Sequence, residues 1–89
     1  MPVVTIPTPL RPHTGGHPRI DAQGATVGEV LRHLGTQYPE LQTRLFMGDE
    51  LQQYVNVYVN SEDIRFLDDL DTKVAAADVV DIIPAVAGG

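Results

Sequence analysis

The chain ends in a pair of glycines, Gly88 and Gly89, directly after the apolar stretch IPAVA that starts at Ile83. With an average glycine usage of about 7%, chance places two glycines at these positions in roughly 0.5% of chains. A terminal carboxylate is anionic and resonance-stabilised, so it becomes an acyl donor only after it has been activated. Because cloning scars also end in Gly-Gly, the interpretation of this motif depends on the rest of the sequence.

The other chemistry-bearing side chains form no recognisable catalytic or metal-binding pattern. His13 and His17 lie in a segment rich in proline and glycine, and His33 falls on the polar side of a predicted helix. A metal site needs three or four converging ligands, so solvated histidines are the favoured interpretation. The sequence also lacks the motifs of a phosphate-binding loop and of a nucleophile elbow. We therefore expect a protein with no bound cofactor or metal, not an enzyme.

The composition is that of one small globular domain. The chain has 89 residues, of which 43% are hydrophobic, and a formal net charge of −6. Its six basic residues are scattered, whereas nucleic-acid binding needs a basic stripe. We see no signal peptide and no apolar run long enough to span a membrane. Cysteine is absent, which excludes disulfides and favours the cytoplasm.

The clearest local signal is a helix that begins at Thr26. Thr26 and Glu29 form a T-x-x-E capping box, and Pro39 is expected to end the helix. Apolar residues at spacings of three and four predict one buried stripe: Val27, Val30, Leu31, Leu34 and Tyr38. A short turn beneath the core is expected to contain Leu41, Leu45 and Phe46.

Several short β-strands surround this helix. A hairpin with its reversal at residues 14–16 is predicted to join the first two strands, and a loop with one possible helical turn precedes the last. The strands are predicted at residues 3–6, 19–22, 54–60, 64–66 and 79–84. Strand alternation and the helical stripe predict a core of Val4, Ile6, Val27, Val30, Leu31, Leu34, Val55, Val57, Val59, Val80 and Ile82. The order of elements indicates an α+β domain over residues 1–84, followed by a flexible tail over residues 85–89.

Three stretches of this chain resemble the ThiS/MoaD-type sulfur-carrier family, whose members have the ubiquitin-like β-grasp fold. They are VTIPTPLRPHTGG near the start, YVNVYVNSEDIRFL in the middle and ADVVDIIPAVAGG at the end. Within the family, the RPHTGG loop and the PAVAGG ending are most similar to the CysO-type branch, which serves thiocarboxylate-dependent cysteine synthesis. The resemblance implies a β-grasp domain with a mixed sheet, one main crossing helix and a Gly-Gly tail.

The resemblance also implies what Gly89 does. In the family, an E1-like enzyme uses ATP to adenylate the terminal carboxylate, and a sulfur donor then displaces AMP to leave a thiocarboxylate. Residues Ala85, Val86, Ala87 and Gly88 would carry Gly89 into the active sites of partner enzymes. In the cysteine route the sulfur acceptor is a cysteine-synthase-like enzyme with pyridoxal phosphate, and a metalloprotease cuts the product from the carrier.

Three other functions stay open. The chain could be the small subunit of molybdopterin synthase, with the large subunit as the sulfur acceptor. It could be a protein modifier that joins Gly89 to lysines, although Lys73 is its only lysine. It could also be an interaction module with an inert tail.

Two surface clusters are candidate docking sites. Strand alternation turns Ile83 away from the helix-covered face, where it could form an apolar patch with Phe66 and Val86 beside the tail. The alternative is that Leu67, Leu70 or a loop covers this patch. Acidic residues cluster at Glu62, Asp63, Asp68, Asp69 and Asp71, where solvated turns are favoured over a docking patch for a basic partner.

Overall fold

The computed structural model describes residues 1–84 of the chain. These residues form seven strands and two α-helices: β1 (Val3–Thr5), β2 (Arg19–Asp21), α1 (Val27–Gln37), α2 (Pro39–Leu45), β3 (Phe46–Met47), β4 (Glu50–Leu51), β5 (Val55–Val59), β6 (Glu62–Asp63) and β7 (Val79–Pro84). Three segments of 3-10 helix lie between them, at Thr8–Thr14, Ile64–Phe66 and Asp69–Asp71. The predictions about the tail, including its flexibility, concern residues 85–89 and lie outside the described part.

Five of the strands form one mixed sheet in the order β2-β1-β7-β5-β6. The last strand, β7, lies at the centre of the sheet, parallel to β1 and antiparallel to β5. The predicted hairpin joins β1 to β2, with Val3 opposite Asp21. Its reversal includes Gly15 and Gly16, whose positive φ angles of 65° and 82° favour glycine. The predicted mixed sheet is therefore present in residues 1–84.

Helix α1 begins as the capping motif predicts. The Thr26 side chain accepts a hydrogen bond from the Glu29 N–H at 3.3 Å, and the Glu29 carboxylate accepts one from the Ala25 N–H at 3.1 Å. The reciprocal bond thus reaches one residue further back than the standard capping box. The residues that α1 buries include Val27, Val30, Leu31 and Leu34, which form the predicted stripe, whereas Tyr38 is only half-buried.

All eleven residues predicted to form the core are buried. Val55, Val57 and Val59 alternate inward along β5, as Val80 and Ile82 do along β7. Six further apolar residues complete the buried set: Leu10, Ala22, Leu41, Leu45, Phe46 and Ile64. The core therefore extends beyond the contact between sheet and helix to the segments that follow β1 and α1.

Three local predictions were wrong or incomplete. Residues 64–66 form a 3-10 helix and not a strand, because the Asp63 carboxylate accepts a hydrogen bond from the Arg65 N–H and caps a helical turn. The expected short turn that contains Leu41 and Leu45 is the two-turn helix α2, followed by the small β3–β4 hairpin. The proline-rich segment after β1 contains a 3-10 helix over Thr8–Thr14.

Candidate functional site: the end of the central strand

The strand that leads toward Gly89 is held on both sides. In β7, Val79 to Asp81 pair with β1, and Val80 to Pro84 pair with β5. The last described pair of the sheet is Pro84 opposite Val55. The predicted adenylation site, Gly89, and the predicted tail residues Ala85, Val86, Ala87 and Gly88 follow this point and lie outside the described residues. The structure therefore places the root of the tail on the central strand.

Side chains at the start of β7 fix its position further. The Asp78 carboxylate accepts hydrogen bonds from the Ala75 N–H at 2.7 Å and from the Asn60 amide at 3.0 Å, and these bonds lower the pKa of Asp78. The Asn60 side-chain oxygen in turn accepts a bond from the Val79 N–H at 3.0 Å. Further along the strand, the Thr5 hydroxyl donates to the Asp81 carboxylate. These side-chain contacts attach β7 to the neighbouring loops and to β1, in addition to the backbone hydrogen bonds of the sheet.

The outer face of the sheet carries the candidate docking residue Ile83. Ile83 pairs with Asn56 across the β5–β7 ladder, and its side chain is 46% exposed. Alternation along β7 places it on the same face as Asp81, opposite the buried Val80 and Ile82. The alternative, in which Leu67, Leu70 or a loop covers this position, therefore does not hold for Ile83 within the described residues.

Phe66, the second candidate docking residue, is the most exposed of the large apolar side chains in residues 1–84, at 85%. It lies in the 3-10 helix that follows β6, whereas Ile83 lies on β7, with β5 between the two strands in the sheet. At the usual strand spacing, β6 and β7 are about 10 Å apart. The two residues are therefore separate exposed apolar positions near the β5 side of the sheet.

An ion pair beside Phe66, between Asp63 and Arg65, was not predicted from the sequence. The buried carboxylate of Asp63 accepts from the Arg65 N–H at 2.9 Å and from the guanidinium at 2.7 Å. These hydrogen bonds lower the pKa of Asp63 and raise the pKa of Arg65. The sequence feature that could have predicted this pair is the D-x-R spacing at the end of β6, since an aspartate there can cap a short helix.

The three histidines lie in different local environments. His13 Nδ1 is 2.8 Å from the Glu40 carboxylate, which ties the Thr8–Thr14 segment to α2. His33 Nδ1 accepts a bond from the Gln23 N–H at 2.8 Å, and His17 is exposed. Within residues 1–84, no group of three or more histidine, aspartate or glutamate side chains is placed to hold a metal ion. In the same residues, no helix is both long and apolar enough to cross a membrane.

Comparison with known proteins places the chain in a family. The sequence model of the ThiS family matches residues 4–89, which is nearly the whole chain. The chain belongs to the ThiS family. The predicted resemblance and the ubiquitin-like β-grasp fold are both confirmed.

The relatives of this ThiS-family chain include both carriers and modifiers. It is 47% identical to the sulfur carrier protein CysO of Mycobacterium tuberculosis, over 97% of the chain and 96% of the relative. It is 41% identical to small archaeal modifier protein 3 of Haloferax volcanii, over 80% and 76%. The crystal structure of the Amycolatopsis orientalis BexX/CysO complex contains a chain that superposes with a TM-score of 0.93 at 43% identity, with both chains fully covered. The predicted sulfur-carrier function agrees with these similarities.

Proposed function

We propose that this chain carries sulfur as a thiocarboxylate on Gly89. The observation that carries the proposal is the similarity to the sulfur carrier protein CysO along nearly the full length of both chains. The family match also runs through the Gly-Gly pair at residues 88 and 89. The fold is compatible with this role, because the strand that precedes the Gly-Gly pair, β7, is central in the sheet and ends at Pro84.

The chemistry has two steps, and a partner enzyme supplies ATP to the first. A carboxylate oxygen of Gly89 attacks the α-phosphate of ATP, which forms an acyl-adenylate and releases pyrophosphate. Hydrosulfide released from a sulfur donor then adds to the acyl carbon, AMP leaves with its electron pair, and loss of the proton on sulfur leaves the thiocarboxylate. Splitting the reaction in this way replaces a resonance-stabilised carboxylate with a better electrophile. The chain itself acts as the substrate of the activating enzyme and needs no bound cofactor.

Five residues follow the last described strand position. Fully extended, residues 85–89 span at most about 17 Å. Glycine at the last two positions lets the backbone pass close to channel walls, because it has no Cβ. We infer that this segment enters the active site of the activating enzyme and then that of the sulfur acceptor while the domain stays outside.

We assign the sulfur to cysteine synthesis, since the similarity to the CysO protein is higher and longer than that to the archaeal modifier. The acceptor is then an aminoacrylate held on pyridoxal phosphate in a cysteine-synthase-like enzyme, and a metalloprotease releases the product. The second candidate is a protein modifier that joins Gly89 to lysines, which the 41% identity to small archaeal modifier protein 3 favours. A molybdopterin synthase small subunit is the third.

Phe66 and Ile83 are our proposed docking residues for these enzymes. Both are exposed and apolar, and Ile83 is the neighbour of Pro84, from which the tail continues. An exposed apolar side chain beside a reactive terminus gives a partner an anchor that becomes buried on binding. These two docking residues would thus orient the domain while the tail reaches the active site.

Deletion of Gly88 and Gly89 tests the proposal. It moves the terminal carboxylate back by roughly 7 Å and places a Cβ at the new terminus, Ala87. We expect ATP–pyrophosphate exchange with the cognate activating enzyme to be lost, while circular dichroism still shows the folded domain. The single change Gly89→Ala serves as the milder comparison, which should slow exchange without abolishing it. A folded, truncated protein that supports exchange at the wild-type rate would overturn the carrier proposal.

Intact-protein mass spectrometry from the native host separates the candidate pathways. Replacement of one terminal oxygen by sulfur supports a carrier, and an added cysteine residue points to the cysteine route. Conjugates through lysine point to the modifier. An intact mass that equals the unmodified chain under both sulfur limitation and sulfur excess would count against the carrier, the cysteine route and the modifier.

A further inference from the structure

The strand β2 forms one edge of the sheet, and among the described residues no strand lies on its outer side. On its inner side, the carbonyl of Pro18 accepts a hydrogen bond from the Ile6 N–H at 2.8 Å, and the Ala22 N–H donates to the carbonyl of Pro2 at 3.1 Å. Ile20 lies midway between Pro18 and Ala22, so its N–H and C=O are also turned toward β1. Alternate residues of β2 thus bond to the neighbouring strand.

The backbone groups of Arg19 and Asp21 are turned the other way, toward the open edge. The register agrees, since Val3, which lies opposite Asp21, donates its N–H to the carbonyl of Asp78 on the far side of β1. Outside the sheet, no described residue forms a hydrogen bond with the backbone of Arg19 or Asp21, and both residues are exposed. Two N–H and two C=O groups can therefore pair with an added strand.

The side chains at this edge are complementary to a second copy of the same strand. Ile20 lies opposite the buried Val4 and packs against the core, so Arg19 and Asp21 lie on the outer face of the sheet. Neither forms an ion pair with another described residue. Edge charges of one sign repel a second copy, whereas these two have opposite signs and flank Ile20 symmetrically. A two-fold axis at Ile20 places Arg19 of each copy opposite Asp21 of the other.

We propose that two copies of this chain associate by antiparallel pairing of their β2 strands about a two-fold axis at Ile20. Arg19 of one copy and Asp21 of the other exchange two backbone hydrogen bonds, so the symmetric pair of strands contains four. Each of these pairs also joins a guanidinium to a carboxylate on the outer face. The two Ile20 side chains meet on the inner face. The same patch is used on both copies, so the association closes at a dimer.

The net charge of −6 opposes this pairing only weakly, because much of it is distant from β2. Five of the twelve acidic residues line a cleft of about 540 Å³ beside β5: Glu50, Asp63, Asp68, Asp69 and Asp71. The strands β1 and β7 separate β5 from β2. Three strand spacings amount to about 14 Å, which exceeds the screening length of about 8 Å at physiological ionic strength.

The dimer leaves the proposed docking residues accessible. The two five-stranded sheets join into one of ten strands, in which β1 and β2 separate each β7 from the other copy. Ile83 on β7 and Phe66 after β6 therefore stay exposed in both copies. The dimer is independent of what Gly89 carries, so it stands or falls separately from the proposed sulfur transfer.

Hydrogen exchange of the full chain tests the pairing with an internal control. At micromolar concentration we expect the Arg19 and Asp21 amides to exchange fast and the Ile20 amide slowly, since only Ile20 is bonded to β1. An interface this small forms only at high concentration. At millimolar concentration, exchange at Arg19 and Asp21 should slow by about threefold or more, while Ile20 changes little. Sedimentation equilibrium should show a reversible dimer over the same range. A chain that stays monomeric, or protection that arises only at other residues, would overturn the proposal.

Charge reversal tests the register of the two strands. Arg19→Asp or Asp21→Arg alone replaces both ion pairs with like-charge contacts, so each should weaken dimerisation about fivefold or more. The double variant, with both changes, restores two opposite-charge pairs and should dimerise within about twofold of the wild type. An equimolar mixture of the two single variants should associate in the same way.

Arg44→Asp is the matched control for charge reversal. Arg44 is exposed on α2, and this change alters the net charge as much as Arg19→Asp does. It should leave the dimer Kd within about twofold of the wild type. Circular dichroism checks that every variant is folded. Equal weakening by Arg44→Asp, or a double variant and a mixture as weak as the single variants, would overturn the proposed pairing.

Discussion

Val55 lies directly opposite Pro84 in the last described pair of the β5–β7 ladder. Val55 is buried, so the point from which the tail continues is fixed to the core through a neighbouring strand. The domain therefore holds Pro84, the last described residue, in a defined place, as the proposed reaction at Gly89 requires. In the proposed mechanism, the place where the domain docks on an enzyme then determines how far the tail can extend into its active site.

Truncation of the apolar docking residues should affect partner binding and not folding. We expect Phe66→Ala and Ile83→Ala each to raise the KM for this chain in ATP–pyrophosphate exchange by about tenfold, because buried apolar anchors dominate interfaces. The kcat should change little. Met47→Ala is the matched control, since Met47 is also an exposed apolar residue, on β3. An equal rise for Met47→Ala, or no rise for Phe66→Ala and Ile83→Ala, would remove the proposed docking face.

Leu31 tests the phase of α1. Leu31 is fully buried in the stripe that faces the sheet, whereas Gln37 on the same helix is exposed. Leu31→Ala should lower the free energy of unfolding by about 2–5 kcal/mol, from lost apolar burial and the cavity left behind. Gln37→Ala should stay within about 0.5 kcal/mol of the wild type. Urea denaturation measures both, and an unchanged midpoint for Leu31→Ala would contradict the buried stripe.

Gly24 and Gly16 are predicted to need glycine for different reasons: close packing at Gly24 and a positive φ angle at Gly16. A Cβ at Gly24 would lie 2.5 Å from the backbone nitrogen of Val30, so Gly24→Ala must displace the start of α1. We expect a loss of about 3 kcal/mol, at the upper end for overpacking. A Cβ at Gly16 would meet no atom within 4 Å, so the only penalty for alanine there is the positive φ of 82°. Gly16→Ala should therefore cost about 1 kcal/mol. The reverse order in thermal or urea unfolding would contradict this assignment.

The Asp63–Arg65 ion pair makes the free energy of unfolding depend on pH. Arg65 holds the pKa of Asp63 below its ordinary value, so the carboxylate binds its proton less readily in the folded chain than in the unfolded one. The resulting stabilisation is present above the unfolded pKa, near about 3.9, and is lost as the pH falls through the lower folded value. Asp63→Asn should therefore be less stable than the wild type at pH 7 and approach it in strong acid.

Unfolding free energies from urea titrations near neutral pH and in strong acid provide the comparison for Asp63. Arg65→Gln should likewise reduce the dependence on pH, because it removes the partner that lowers the pKa of Asp63. A stability difference between Asp63→Asn and the wild type that is equally large at both pH values would contradict the linkage.

The longer regular elements could be predicted because each depends on signals within its own sequence. The capping box at Thr26 with its apolar stripe identified α1, and strict alternation identified β5 and the inward valines. Residues 64–66 were assigned wrongly because three residues carry too little periodicity, and the deciding contact is the side chain of Asp63. Helix α2 has only seven residues, and its burial of Leu41 and Leu45 depends on distant parts of the chain.

For the site, the sequence identified Gly89 and the exposed positions Phe66 and Ile83 as candidates. It also identified the acidic cluster but not the cleft. Glu50 and Asp71 are far apart along the chain and line the same cleft only in the folded domain. Tertiary contacts, and not local patterns, thus define this cleft.

The parallel pairing of β1 with β7 has a practical consequence for labelling. Val3 lies opposite Val79, at the far end of β7 from Pro84, about 17 Å away at the usual rise per residue. A fluorophore or affinity tag joined to Met1 would therefore sit at the opposite end of the sheet from Pro84. Protein immobilised in this way would present the Pro84 end of β7 to the solution, where the enzymes that we propose for Gly89 could be captured.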